Sequence, residues 1–216
     1  VGGGLGGRRG GVGRVLTGQR LRELLNEVEA EVKSCRRCSL WRHRRNPVFG
    51  EGNPETGIVL IGEAPGRSED LAGRPFVGAA GKVLDRMLSV AGLSRTDVYI
   101  TNVLKCRPPG NRDPRPEEVE ACTPYLDRQL RIIRPRVVVT LGRHALSYVL
   151  RWSKVRGSVS RLHGTVIELN APFGNAVLVP LYHPAVLLYR PAMREVFEED
   201  ARRLGKVVRQ TLGVGL

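Results

Sequence analysis

The chain has 216 residues, 41% of them apolar, enough for one domain that buries a proper core without disulfide staples. No apolar run approaches the roughly 20 residues of a membrane span, and no charged–apolar–small leader opens the chain, so a membrane protein is excluded and a cytoplasmic location is expected. The net charge of +14 is carried mostly by arginine, since lysine stands only at positions 33, 82, 105, 154 and 206, and it points to a polyanionic partner such as nucleic acid.

In chain order, residues 1–18 hold Gly and Arg with little else and show no periodic apolar pattern. They are expected to form a disordered tail, with 19–216 folding as a single domain. From 18 to 33, Leu21, Leu24, Leu25, Val28 and Val32 recur at helical spacing, and this helix delivers Cys35 and Cys38. A basic loop with Trp41, His43, Arg44 and Arg45 follows. The run GIVLIG over 57–62 is short, β-branched and flanked by glycine, the pattern of a buried parallel strand. A loop to about 78 leads into a helix over 79–91, and a second strand spans 98–103. After a loop rich in Pro, Gly, Asn and Asp, a helix starts at Pro116 with Glu117 and Glu118 in its first turn, where the helix dipole favours acids. A third strand is read over 136–141, a helix over 143–150, an extra strand or hairpin arm over 166–169, a strand over 176–181 and a last amphipathic helix over 192–208. Short apolar strands alternating with helices predict an α/β sandwich around a mostly parallel sheet.

In such folds ligands sit beyond the carboxyl ends of the strands, and the candidate chemistry falls there. Glu63 follows the first strand in the turn Glu63-Ala64-Pro65-Gly66, with Glu69 and Asp70 close behind; a carboxylate in that position can hold or polarise a water. The turn matches neither nucleotide-binding glycine fingerprint. Phe76, flanked by Gly and Pro, suits a stacking surface for a flat ligand. Asn102 ends a strand, and its amide can meet a donor and an acceptor of a base edge at once. His183, held extended by Pro184, can donate to a developing anion. His43, His144 and His163 stand in no such constellation and read as structural. Cys35, Cys38, Cys106 and Cys122, spaced C-x2-C-x67-C-x15-C, suit zinc or an iron–sulfur cluster, and spacing alone leaves the two near even.

The run GEAPGRSEDLAGRPFVGAAGKVLDRML resembles the signature of the family 4 uracil-DNA glycosylases of thermophilic bacteria and archaea. The likeness continues through TNVLKCRPPGNRDPRPEEVEAC and YHPAVLLY, and covers about residues 20 to 210. It implies a three-layer α/β/α sandwich with a four-stranded, mostly parallel sheet. It implies a 4Fe–4S cluster on Cys35, Cys38, Cys106 and Cys122. It implies a uracil pocket in which Glu63, Ala64 and Pro65 line the base, Phe76 stacks on it, Asn102 reads O4 and N3, and His183 faces O2. Leu187 or Leu188 would be the wedge that enters the duplex, Glu63 would orient the water, and Glu69 would help it or exclude the thymine methyl. The activity implied is monofunctional: uracil is flipped from DNA and its N-glycosidic bond hydrolysed, leaving an abasic site for base-excision repair. Uracil-containing DNA, single- or double-stranded, is the expected partner of a monomeric enzyme, and a sliding clamp is the candidate repair partner. Two other readings fit part of the sequence. One is a non-catalytic nucleic-acid-binding module with a structural four-cysteine zinc site; the other is a relative acting on other deaminated bases. The loop after His183-Pro184 reads Leu188-Tyr189-Arg190 where relatives often end in Leu-Arg, so the wedge is the least defined part of the site.

Overall fold

Burial on both faces decides the strand sequences. In the computed structural model, which describes residues 17–213, β2 (Ile58–Gly62) and β4 (Val137–Leu141) are buried at every position. The predicted tail lies almost wholly outside the described residues; Gly18 already belongs to α1 (Gly18–Ser34), whose first turn is capped by the Thr17 hydroxyl accepting from Arg20 N–H. The chain then forms β1 (Glu51–Gly52), β2, α2 (Arg67–Ala72), α3 (Ala79–Val90), β3 (Tyr99–Asn102), α4 (Pro116–Ile133), β4, α5 (Arg143–Val149), α6 (Val159–Leu162), β5 (Ile167–Ala171), β6 (Gly174–Leu181), α7 (Val186–Tyr189) and α8 (Arg194–Leu212).

The sheet has six strands in the order β1-β3-β2-β4-β6-β5. The four inner strands are parallel, and the two edge strands pair antiparallel to their neighbours. The expected four-stranded sheet is therefore short by its edges. β1 is two residues long and has no apolar run to announce it. β5 alternates buried and exposed side chains, as an edge strand covered on one face does, and forms a hairpin with β6 in which Ala171 pairs with Gly174.

Successive strand residues point to opposite layers. Val59, Ile61, Val138 and Leu178 join the apolar cluster that includes α1, α4 and α5; Ile58, Leu60, Val139 and Val179 join the one that includes α3 and α8. No helix among the described residues is long and apolar enough to cross a membrane. Three short helices escape the sequence pattern: α2, α6 and α7. α2 lies within the segment read as loop, and the residue it buries is Asp70, which accepts from the Arg45 N–H. α7 is a single turn with no buried residue.

Candidate active site and four-cysteine centre

Parallel register brings the candidate residues to one edge of the sheet. Gly62 pairs with Asn102 across β2 and β3, and Leu141 pairs with Leu181 two residues before His183. A side chain at Gly62 would press against the Asn102 carboxamide oxygen and the Phe76 ring, with its Cβ 2.7 Å from Phe76 Cζ, so only glycine leaves this corner open. Asn102 is 2% exposed, and its Oδ1 is buried without a hydrogen-bond partner. An orphaned acceptor at that depth costs about 1–3 kcal/mol, which a ligand N–H placed there removes.

Phe76 is held in a left-handed conformation, φ 52°. Such a backbone is strained for an aromatic residue and persists only where neighbours fix it. Arg95 donates to the Phe76 carbonyl. On its other side, Glu69 Oε1 accepts from Val77 N–H at 2.9 Å and Gly78 N–H at 2.8 Å, while Oε2 accepts from Gly66 N–H at 3.1 Å. Glu69 thus caps α2 and buckles the Phe76 loop. With both oxygens on backbone N–H groups, Glu69 fixes the loop that carries Phe76, whereas the sequence reading expects it to help Glu63 with the water or to exclude the thymine methyl. A Glu69→Ala variant is expected to lose about 2–3 kcal/mol of stability, read by chemical denaturation, together with activity. Glu69→Gln, which retains one acceptor, is expected to keep most of the rate; a rate collapse at unchanged stability would return Glu69 to the chemistry.

The His183 ring lies 5.8 Å from that of Phe76, tilted by 32°. Its Nδ1 accepts from Ala185 N–H at 3.2 Å, so the neutral ring carries its proton on Nε2. Burial pushes its pKa down to about 4, against 6.5 for an ordinary histidine. Glu63 is half-buried, and burial raises its carboxyl above the ordinary 4.5, opposed by His144. His144 Nε2 lies 3.7 Å from Glu63 Oε2 and 3.6 Å from Asp113 Oδ1. That neighbourhood is not legible in sequence, where His144 reads as a helix start.

Glu63, Glu69, Phe76, Asn102 and His183 line a cleft of about 440 Å³ with Ala64, Pro65, Arg112, Leu188 and Tyr189. A wider groove of about 1320 Å³ runs along the open edge of β5 past Arg136 and Trp152, but it holds none of the strand-end residues. The two candidate wedges separate. Leu188 is 45% exposed and lines both the cleft and the neighbouring groove beside α3 and α8, whereas Leu187 packs against the α3–α8 apolar cluster and lines only that second groove. Tyr189, unassigned by the sequence reading, is 82% exposed at the mouth.

Behind this edge, Cys35, Cys38, Cys106 and Cys122 line one small cavity. The Arg44 guanidinium donates to Cys106 Sγ at 3.1 Å, and Lys105 N–H donates to Cys122 Sγ at 3.2 Å. Burial raises the Cys38 and Cys106 thiols and pushes Cys122 up to about 12. Among the described residues, the Cys, His and carboxylate ligand atoms gathered within 4.8 Å of one another are those of Glu63, Asp113 and His144, not the sulfurs. Four thiolates around one zinc would stand about 3.8 Å apart, given Zn–S bonds of about 2.3 Å.

The family model described as the uracil DNA glycosylase superfamily matches residues 49–204. The chain is 50% identical over 186 residues to the type-4 uracil-DNA glycosylase of Archaeoglobus fulgidus, covering 86% of this chain and 94% of that one. It is 49% identical over 183 residues to the type-4 enzyme of Saccharolobus solfataricus, covering 83% and 84% of the two chains. With the type-4 enzyme of Thermotoga maritima it shares 43% identity over 190 residues, covering 87% and 96%.

Proposed function

Since the chain belongs to the uracil DNA glycosylase superfamily, we propose that the strand-end cleft is where it reads and releases a flipped uracil. The protein is a uracil-DNA glycosylase of base-excision repair, hydrolysing an N-glycosyl bond. The observation that carries the site assignment is the unpartnered Asn102 Oδ1. Uracil offers N3–H to that oxygen and O4 to the amide N–H; cytosine presents an unprotonated N3 and leaves the buried acceptor unpaired.

A base inside a duplex is out of reach, so it is extruded at a cost of a few kcal/mol. Leu188 fills the gap, while Arg67 at the cleft meets phosphate. Phe76 supports the face of the base. As the C1′–N1 bond breaks, negative charge gathers on uracil O2, and the His183 Nε2–H donates to it. A neutral donor suffices, and a pKa of about 4 keeps the ring neutral through the physiological range. Glu63 orients a water towards C1′, takes its proton as the C–O bond forms, and offsets the positive charge on the sugar.

The four cysteines fit a 4Fe–4S cluster: four thiol ligands line one small cavity, and among the described residues no three of their sulfurs gather within 4.8 Å of one another, as a single zinc would need. Such a cluster supplies a structural tie between the segment after α1 and the loop carrying Asn111 and Arg112. A zinc-bearing binding module would leave the cleft, its orphaned acceptor and its neutral histidine without a purpose. We further propose a monomeric cytoplasmic enzyme whose described residues form one catalytic domain; the sliding clamp remains the candidate partner.

The test is release of uracil from U·G, U·A and single-stranded oligonucleotides, with alkali revealing the abasic sites and a visible spectrum of the same preparation. No released uracil refutes the reading. The histidine adds a pH test. Its folded pKa of about 4 lies below the unfolded 6.5, so as pH falls through that window the unfolded chain takes up the proton first and stability is lost. A His183→Gln variant is expected to lose less stability than the parent between pH 7 and pH 4 in denaturant titrations; equal losses would contradict a buried neutral ring.

A further inference from the structure

Lys105 is 1% exposed, among the most deeply buried large side chains of the protein. Each of its three ammonium protons has one acceptor: Thr101 Oγ1 at 2.6 Å, the Asn102 carbonyl at 2.8 Å and Gln129 Oε1 at 2.6 Å. None of these is an anion. The acceptors are themselves fixed, since Thr101 donates to the Phe49 carbonyl at 2.7 Å, and the Gln129 amide donates to that carbonyl and to the Tyr99 hydroxyl, both at 3.0 Å. A buried cation without a carboxylate needs negative charge from elsewhere. The charge at hand is the four-cysteine centre: Lys105 precedes Cys106, and its N–H donates to Cys122 Sγ. Four thiolate ligands leave an iron–sulfur cluster net negative. Cys122 and Gln129 stand two turns apart on one face of α4, so a single helix presents the sulfur and the amide to opposite ends of the same lysine.

We propose that Lys105 is a positioning residue joining the two centres: it is the internal counter-ion of the cysteine-held cluster, and its ammonium braces the backbone of Asn102, which reads the base. The inference rests on the glycosylase reading and on the cluster assigned above. Loading of the cluster thereby sets the fit of the uracil pocket, with no atom of the cluster touching the base.

The test compares iron-loaded parent protein with Lys105→Met, which keeps length and removes charge. Three quantities are read: kcat/KM on a uracil oligonucleotide, Kd for the same oligonucleotide without uracil, and the cluster's midpoint potential on a DNA-coated electrode. The expected result is a fall in kcat/KM of about tenfold to a hundredfold, because a misplaced recognition group costs that much. Affinity for uracil-free DNA stays at the parent value, and the potential falls, because a nearby cation no longer favours the more negative reduced cluster. Parent-like kcat/KM or a parent-like potential overturns the proposal. Should Lys105→Met fail to accumulate folded, Gln129→Leu keeps the cation and removes one of its three holds. Its kcat/KM is expected to drop at an unchanged potential, and parent-like kcat/KM there is equally fatal. Parent protein that releases no uracil refutes the glycosylase reading, and a colourless, iron-free parent refutes the cluster. A coloured, active parent indistinguishable from Lys105→Met refutes the link alone.

Discussion

Asn102→Leu is expected to cost about 10³-fold in kcat/KM on uracil-containing DNA while leaving the fold as stable as before, or more stable by about 1 kcal/mol. The two effects have one cause. Asn102 sits at the end of a central strand, 2% exposed, with a carboxamide oxygen that nothing in the protein satisfies. A leucine of similar volume removes that desolvation cost from the free protein. It also removes the acceptor for uracil N3–H and the donor for O4, so the bound base loses its recognition when fully enclosed, where the loss is largest. Single-turnover excision and a denaturant titration on the same preparation decide the matter. A variant that loses stability along with activity would mean that Asn102 serves the fold, and one that keeps activity would place base reading elsewhere.

Cys122→Ser is expected to have the largest effect on stability. A structural metal centre contributes folding free energy directly, and its loss here is placed on the order of 5–10 kcal/mol, much of what a domain of this size has. Cys122 is buried in α4, next to the sheet edge that carries the cleft. On the proposed cluster, serine would put a poorer ligand than a thiolate into a cavity lined by four cysteines. The expected outcome is loss of the visible absorption band, substoichiometric iron and a collapse of Tm. A colourless variant with parent Tm would show that the centre does not hold the fold.

The core of the site is legible in sequence because parallel α/β topology leaves little freedom. Once 57–62 and 98–103 are read as neighbouring buried strands, Glu63 and Asn102 must emerge at the same edge, and the register that pairs Gly62 with Asn102 does this to the residue. What stays hidden depends on side-chain direction or on contacts between distant segments. Glu69 looks like any acid near a strand end; only the three N–H groups converging on it separate a cap from a catalyst. Leu187 and Leu188 differ by one position on a one-turn helix, whose phase is set by packing on α3 and α8 rather than by the pattern of four residues. His144 reaches the neighbourhood of Glu63 from the first turn of α5 and Asp113 from the loop before α4, so no local spacing reports them. Lys105 is the hardest case. A lysine beside a cysteine carries no sign of burial, and its place inside the protein follows from Thr101 and Gln129 arriving from β3 and α4. The edge strand β1 is missed for a simpler reason: its two residues bury too little to leave a pattern, whereas β5 is read as a strand or hairpin arm over 166–169.

The pairing of β2 with β3 does not stop at the strand ends. Val103 N–H continues the ladder to the Gly62 carbonyl at 3.0 Å and Leu104 N–H to the Glu63 carbonyl at 2.9 Å, both residues being buried. Those two amide protons can exchange with solvent only when the middle of the sheet opens, so they belong to the slowest class in the molecule. The turn bearing Leu188 and Tyr189 has exposed side chains and one helical turn of backbone bonding, which puts it in the fastest. On the proposed reading, the protein searches DNA with its least protected backbone and judges the base with its most protected one, and heat that frays the first is expected to leave the second intact.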